Sequence, residues 1–216
     1  LEIGVRLGKG SETILKSIKN KNHWHVGVDP YGELRYQHFD KDSDVKHSSG
    51  VIPTYPNSMK TTVLQNLNFH NFILLPMCDT EFMEKYCNGV PIYNKLKTIR
   101  NDYDLVLLDG PHTTYDVLKE VMFFGERLNN NGMMILDDWP TYKSPMIVDI
   151  AKMLDIKPLH IGENKLVTYL EDWESAAKAW VESQENHLIQ MRKFTADYET
   201  KSRDGIEKYF VEILNR

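Results

Sequence analysis

The 216-residue sequence predicts an α/β fold with a doubly wound, mostly parallel sheet. Three observations carry that expectation. Short apolar runs of strand length alternate with segments whose apolar residues fall three and four apart. The runs end at glycine or at an acid, and the last two are joined by Gly162-Glu163-Asn164, a hairpin signal. Alternating strands and helices imply parallel crossovers, and the closing hairpin adds an antiparallel edge.

Taken in order, Leu1-Glu2-Ile3-Gly4 reads as the end of a strand running into a glycine turn. A buried strand usually has about five residues, so the natural chain is expected to extend upstream of an N-terminally truncated start. Glu12 to Lys19 carries Ile14, Leu15 and Ile18 at helical spacing, and Trp24 to Val28 is a short strand ending at Asp29. Gly32 to Leu67 is polar and irregular, with Gly50, Pro53 and Pro56. Connections of that length are usually lids or binding loops; its last part, Thr61 to Leu67, is open to a helix. Asn71 to Met77 is a third strand ending at Cys78-Asp79-Thr80, Glu81 to Tyr86 a short helix, and Gly89-Val90-Pro91 a break.

Tyr103 to Leu108 is the fourth strand. Tyr115 to Leu128 is an amphipathic helix with Val117, Leu118, Val121, Met122 and Phe124 as its apolar positions, and Asn129 to Gly132 should stop it. Met133 to Leu136 is the fifth strand, Pro145 to Leu154 a helix, and Lys157 to Ile161 with Lys165 to Leu170 the hairpin. Beyond Asp172, the residues Trp173, Ala177, Trp180, Leu188, Met191, Phe194 and Tyr198 form a helical stripe, broken at Gly205 before a short helix ending near Leu214. That stripe either packs on the domain or offers a face to a partner or a second copy.

Composition narrows the function classes. Hydrophobic content of 41% and charged content of 26% are ordinary for a soluble globular chain. No apolar run approaches the roughly 18 residues of a membrane span, and none reads as a signal peptide. A net charge of −5 with a pI near 5.9 gives no basic footprint for a phosphate backbone, so nucleic acid is not an expected partner. Two cysteines, Cys78 and Cys87, are too few for a disulfide framework and fit free thiols in a cytoplasmic setting.

Four groups of residues carry chemistry. Glu2-Ile3-Gly4-Val5-Arg6-Leu7-Gly8-Lys9-Gly10-Ser11 is a strand end followed by glycines and a helix, a place where backbone can approach a cofactor closely. Its glycines, at 4, 8 and 10, depart from the nicotinamide fingerprint. Asp29 ends the second strand, where a carboxylate can accept both ribose hydroxyls of a nucleoside cofactor, and Tyr31 beside it could stack on an adenine face. Asp79 follows the third strand, placed to accept from an adenine amine. Finally, Leu108-Asp109-Gly110-Pro111-His112 and Leu136-Asp137-Asp138-Trp139 put three carboxylates and a histidine at neighbouring strand ends. Carboxylates so gathered repel unless a cation or proton intervenes, and Mg²⁺ takes such oxygen ligands.

These residues together resemble class I S-adenosylmethionine-dependent methyltransferases, in particular the metal-dependent methyltransferase-24 group with its macrocin-type sugar O-methyltransferases and, more distantly, catechol O-methyltransferase. The likeness runs from Glu2 to about Leu170. It implies a Rossmann-like methyltransferase domain over 1–172 and a helical extension over 173–216. It implies S-adenosylmethionine held by Glu2, Gly4, Gly8, Ser11, Asp29, Tyr31, Asp79 and Asp109. Asp109-Gly110-Pro111-His112 with Tyr115 is similar to the family's Asp-Gly-x-His-x-x-Tyr segment. By that likeness Asp109, Asp137 and Asp138 hold Mg²⁺ and His112 is the base. The glycine turn lacks the commoner Gly-x-Gly core, and Gly32 to Leu67 is longer than in many relatives.

The expected reaction is in-line methyl transfer to a hydroxyl on a sugar or small polar metabolite, with the metal orienting that hydroxyl. Two other classes compete: a nicotinamide-dependent oxidoreductase, which shares the ribose acid but not the glycine spacing, and a non-catalytic nucleoside-binding or assembly module, since fold alone does not settle function.

Overall fold

A computed structural model describes residues 1–32, 34–41, 51–53, 55–161 and 166–170. The expected helical tail, its terminal helix and the Gly162-Glu163-Asn164 turn lie outside the described residues.

In chain order, β1 (Glu2–Ile3) turns through Gly4 into α1 (Lys9–Ser17), and β2 (His25–Val28) is followed by two short strands, β3 (Arg35–Gln37) and β4 (Val51–Pro53), that pair with each other. Then come α2 (Asn57–Asn66), β5 (Phe72–Leu75) and α3 (Asp79–Lys85), and a second hairpin of β6 (Val90–Tyr93) and β7 (Lys97–Arg100). β8 (Tyr103–Leu108), α4 (Thr114–Gly125) and β9 (Leu128–Leu136) follow, with a 3₁₀ turn at Trp139–Thr141, α5 (Ser144–Met153), β10 (Ile156–Ile161) and β11 (Leu166–Leu170).

Seven strands form the central sheet in the order β10-β11-β9-β8-β1-β2-β5. β9, β8, β1, β2 and β5 run parallel, and β11 and β10 add the antiparallel edge. The fold is therefore the expected doubly wound α/β sheet with a terminal hairpin. Alternation along β5 shows its two faces: Phe72 and Leu74 pack with Val5, Leu15, Val63 and Leu67 under α1 and α2, whereas Ile73 and Leu75 join the larger core with Val28, Val106, Phe124 and Met134.

Two departures from the sequence reading have local causes. Gly89-Val90-Pro91, read as a break, opens the β6–β7 hairpin, whose second strand is exposed throughout and so lacks any apolar alternation to betray it. Asn129 to Gly132, read as a helix stop, lies inside β9. The register between β8 and β9 shifts after Tyr103 pairs with Leu128, and Asn131 adopts φ +66 in that irregular stretch; asparagine tolerates this left-handed backbone. α4 ends earlier, at Gly125, where a Cβ would stand 2.6 Å from Ile156 Cδ1 and 2.7 Å from Leu154 Cδ1, so close packing leaves no room for a side chain.

The N-terminus of α4 is capped by Thr113, whose hydroxyl oxygen accepts from the Asp116 amide at 3.1 Å. On its inner face α4 carries Glu120, fully buried, with neither carboxylate oxygen bonded to a donor among the described residues. Burial pushes its carboxyl well above the ordinary range, and the nearby Asp79 and Asp116 push the same way. The folded state thus holds a proton that the unfolded chain releases near pH 4.5, so this group favours folding below that pH and progressively less as pH rises. Glu120→Gln should remove that slope: its melting temperature relative to the unaltered protein should rise by about 2 °C or more between pH 5 and pH 8. Parallel scanning-calorimetry curves across that range would assign the slope elsewhere.

Candidate active site

Carboxyl ends of parallel strands form the rim where chain direction across the sheet reverses, here between β1 and β8, and ligands of open α/β sheets bind there. A cavity of about 410 Å³ lies at this place, lined among others by Gly4, Arg6, Asp29, Tyr36, His38, Tyr55, Asp79, Asp109 and Asp138.

The floor is the turn after β1. Gly4 has φ +86, and a Cβ at this position would overlap the Asp109 carbonyl at the end of β8; only glycine permits both. Asp29, 3% exposed, holds the turn from the neighbouring strand end. Its Oδ2 accepts from the Val5 and Arg6 amides at 3.0 and 2.8 Å, and its Oδ1 accepts from the Tyr31 amide at 3.2 Å. Burial raises the Asp29 carboxyl above its ordinary range, and these amides pull it back down. Arg6, at φ +53, leaves its guanidinium 5.3 Å from the Tyr55 ring at the cavity wall.

Of the residues expected to hold the cofactor, Gly4, Asp29, Asp79 and Asp109 line the cavity, whereas Glu2, Gly8, Ser11 and Tyr31 do not. Glu2 and Ser11 are buried behind the turn, bonded to each other and to His25, whose Nε2 lies 3.2 Å from Glu2 Oε2 and 2.9 Å from Ser11 Oγ. Burial lowers the His25 pKa despite the Glu2 carboxylate, so a neutral imidazole donates to that acid. Gly8 caps α1 at φ +78 and packs on Leu67. Tyr31 is buried, and its hydroxyl donates to the Arg6 carbonyl at 2.6 Å, which turns the ring away from the cavity and makes it a prop for the turn. Tyr115 is 68% exposed, with the Lys119 ammonium 4.0 Å over its ring.

Asp79 begins α3, 9% exposed, with its carboxyl raised by burial and partly restored by the Thr80 amide. Its Oδ2 has no protein donor and the residue lines the cavity, so it is an acceptor in need of a partner. Cys78 beside it is a free thiol 3.4 Å from Thr80 Oγ1.

Three segments meet at the opposite side, where His38 and Asp138 line the cavity, whereas His112 and Asp137 are not among its lining residues. His112, 2% exposed, has Nδ1 2.5 Å from the Gly110 carbonyl and Nε2 3.4 Å from Asp138 Oδ2. Asp138 sits at φ +47 at the head of the 3₁₀ turn, its amide donating to Asp137 Oδ1 at 2.8 Å. His38, after β3, comes beside His112 with ring centroids 4.7 Å apart. The segment is stitched down by the His112 amide to the His38 carbonyl at 2.7 Å, by a bridge between Phe39 and His112, and by the Thr114 amide to Asp40 Oδ1 at 3.0 Å. Among the described residues, the ligand-type atoms lying within 4.8 Å of one another come from His38, His112 and Asp138. Asp109 and Asp137, expected beside Asp138 in a three-carboxylate Mg²⁺ set, stand outside that group, and a set of two imidazoles and one carboxylate does not fit the hard oxygen shell of Mg²⁺.

Sequence reasoning missed Arg6, Tyr36, His38, Tyr55 and Asp116 as cavity residues. Tyr36, His38 and Tyr55 lie in the segment read as a lid or binding loop with no residue singled out, and pairing with residues some 70 positions away, which no local period encodes, brings His38 to the wall. The cavity wall carries five aspartates, at 29, 79, 109, 116 and 138, and Arg6 is its single arginine or lysine among the described residues.

A family model described as a methyltransferase domain matches residues 1–139, and the chain belongs to that methyltransferase family. It is an S-adenosylmethionine-dependent methyltransferase with the class I fold. Among solved structures, the O-methyltransferase NovP is similar with a TM-score of 0.51 and 13% identity, covering 78% of this chain and 70% of that one. The calicheamicin methyltransferase CalS11 is similar at 0.50 and 12%, covering 79% and 71%. At such identities these two likenesses speak for the fold. No curated protein matches the sequence significantly. Among the described residues, no helix is long and apolar enough to cross a membrane.

Asp29→Ala should leave the Val5 and Arg6 amides without their acceptor, at about 1–3 kcal/mol of stability. The stabilisation that S-adenosylmethionine gives in a thermal melt should vanish with it; an unchanged ligand-induced shift would show that the turn holds itself.

Proposed function

We propose that the chain methylates a hydroxyl on a sugar or small polar metabolite, with His112 as the proton acceptor. The observation that carries this reading is an acid-lined cavity at the reversal of the sheet whose lining carboxylate Asp138 is paired with the buried imidazole of His112. S-adenosylmethionine, when bound, supplies an electrophilic methyl on a sulfonium that an oxygen nucleophile displaces in line.

The residues suit that cofactor by charge. Five aspartates favour a ligand with cationic sulfonium and ammonium groups, while Arg6 offers an opposing charge for its carboxylate. Asp79 Oδ2 offers an acceptor to the adenine amine. The Gly110 carbonyl holds the Nδ1–H tautomer of His112, so that Nε2 keeps its lone pair for a hydroxyl proton, and Asp138 Oδ2 stabilises the imidazolium that results. The two similar structures are named for methyltransferases, one of them an O-methyltransferase, which agrees with a hydroxyl acceptor. Free thiols at Cys78 and Cys87 agree with a cytoplasmic setting. The expected Mg²⁺ on Asp109, Asp137 and Asp138 draws no support from the donor arrangement.

His112→Gln should lower turnover by about 100-fold or more while leaving S-adenosylmethionine affinity within about twofold; turnover measured with labelled cofactor and a panel of glycosides that stayed at the unaltered level would remove the base. Asp79→Ala should instead weaken cofactor binding by calorimetry by about tenfold, and unchanged affinity would place the adenine elsewhere.

A further inference from the structure

Three residues far apart in the chain, His38, His112 and Asp138, meet beside the cavity, which His38 and Asp138 line, with their ligand atoms within 4.8 Å of one another. Each is positioned by bonds of the fold itself. The Gly110 carbonyl, 2.5 Å from His112 Nδ1, orients the ring so that Nε2 lies 3.4 Å from Asp138 Oδ2. A backbone carbonyl on the far ring nitrogen is the usual way a metal-binding histidine is oriented. Asp138 is fixed by its amide on Asp137 Oδ1 and by its carbonyl, which accepts from the Thr141 amide and hydroxyl, both at 2.8 Å. His38 is fixed through its carbonyl on the His112 amide at 2.7 Å and through ring contacts with Tyr36 and Phe39 at 5.5 and 4.3 Å.

We propose that His38, His112 and Asp138 form a binding site for one divalent cation of the borderline class, such as Zn²⁺ or Co²⁺. Imidazole nitrogen selects these ions over Mg²⁺, which keeps to oxygen and to its own water. Two imidazoles and one carboxylate supply three ligands and leave a coordination position open. The Asp138 side chain is 41% exposed against 3% for His112, and Asp138 and His38 line the cavity, so the open position faces the cavity. A cation here engages the same Nε2 lone pair that serves as the proton acceptor. Resting on the hydroxyl-methylation reading, this makes occupancy by such a cation inhibitory.

The test uses the full chain, free of any histidine tag and stripped with a chelator. Titration with Co²⁺, followed by its visible ligand-field bands, and with Zn²⁺ by calorimetry should each saturate at one equivalent. His38→Ala and Asp138→Asn should each weaken binding by at least about tenfold, and millimolar Mg²⁺ should not displace Co²⁺. His70→Ala, on an exposed loop position, should change nothing. Absence of a saturable equivalent in the unaltered protein, affinity indifferent to His38 and Asp138, or displacement by Mg²⁺ would each overturn the site. Methyl transfer is read in the same samples and should fall in proportion to occupancy. Binding as expected with methyl transfer undiminished would overturn the inhibition and the role of His112 as base while the cation site stands; failure to bind leaves the methylation reading intact.

Discussion

The structure depends on one close approach, that of the Gly4 backbone to the Asp109 carbonyl where β1 and β8 end side by side. β1 is two residues long, yet it is the parallel neighbour of both β2 and β8, and the order in which the chain adds strands reverses between it and β8. A side chain at Gly4 would collide with backbone, which cannot swing aside as a flexible side chain can. Gly110 repeats the constraint from the other strand: a Cβ there would come 2.7 Å from Ile3 Cγ2. With no side chain at either position the two strand ends close together, and the crevice at the reversal opens beside backbone instead of behind a wall of side chains.

Everything at the rim is hung from that contact by charge and hydrogen bonding. Asp29 gathers the amides of the turn, and the Glu2–Ser11–His25 set holds its other side in the interior. Burial disfavours ionised Asp29 and Asp79, and donors from the protein or a bound ligand offset that penalty. Asp29 receives three amides, whereas Asp79 keeps one oxygen without a protein donor. That difference separates a carboxylate that builds the site from one that has capacity left for a ligand.

The far wall has a second origin. The segment from Gln37 to Asp40 lies against the loop that follows β8, through the Phe39–His112 bridge and the Asp40–Thr114 bonds, and Thr114 Oγ1 in turn accepts from the Lys143 amide before α5. Three stretches of chain are thereby tied at one place, and His112 is buried among them beside His38, Phe39 and Tyr142. A histidine enclosed in this way has a fixed ring orientation, which both proton transfer and metal binding require. Burial also holds the Tyr142 hydroxyl protonated, with Glu120, Asp137 and Asp138 reinforcing it, so that it donates to the Asp137 carbonyl at 3.3 Å.

The sequence by itself determined the alternating layers of the domain, because apolar periodicity, strand length and turn residues are local properties that each segment carries alone. Tyr103–Leu108 matches its expected span to the residue, and Asp29, Asp79, Asp109 and Asp138 line the cavity because strand ends put them there. Only the tertiary structure decided which of the singled-out residues share a wall. Glu2, Ser11 and Tyr31 were near the right turn but point into protein, since a two-residue strand and a left-handed turn set directions that spacing does not reveal. Asp138 found two histidines instead of two further aspartates, because His38 arrives by a pairing between segments some 70 residues apart. Such pairings are fixed by how packed elements meet, and no single stretch of sequence contains that information.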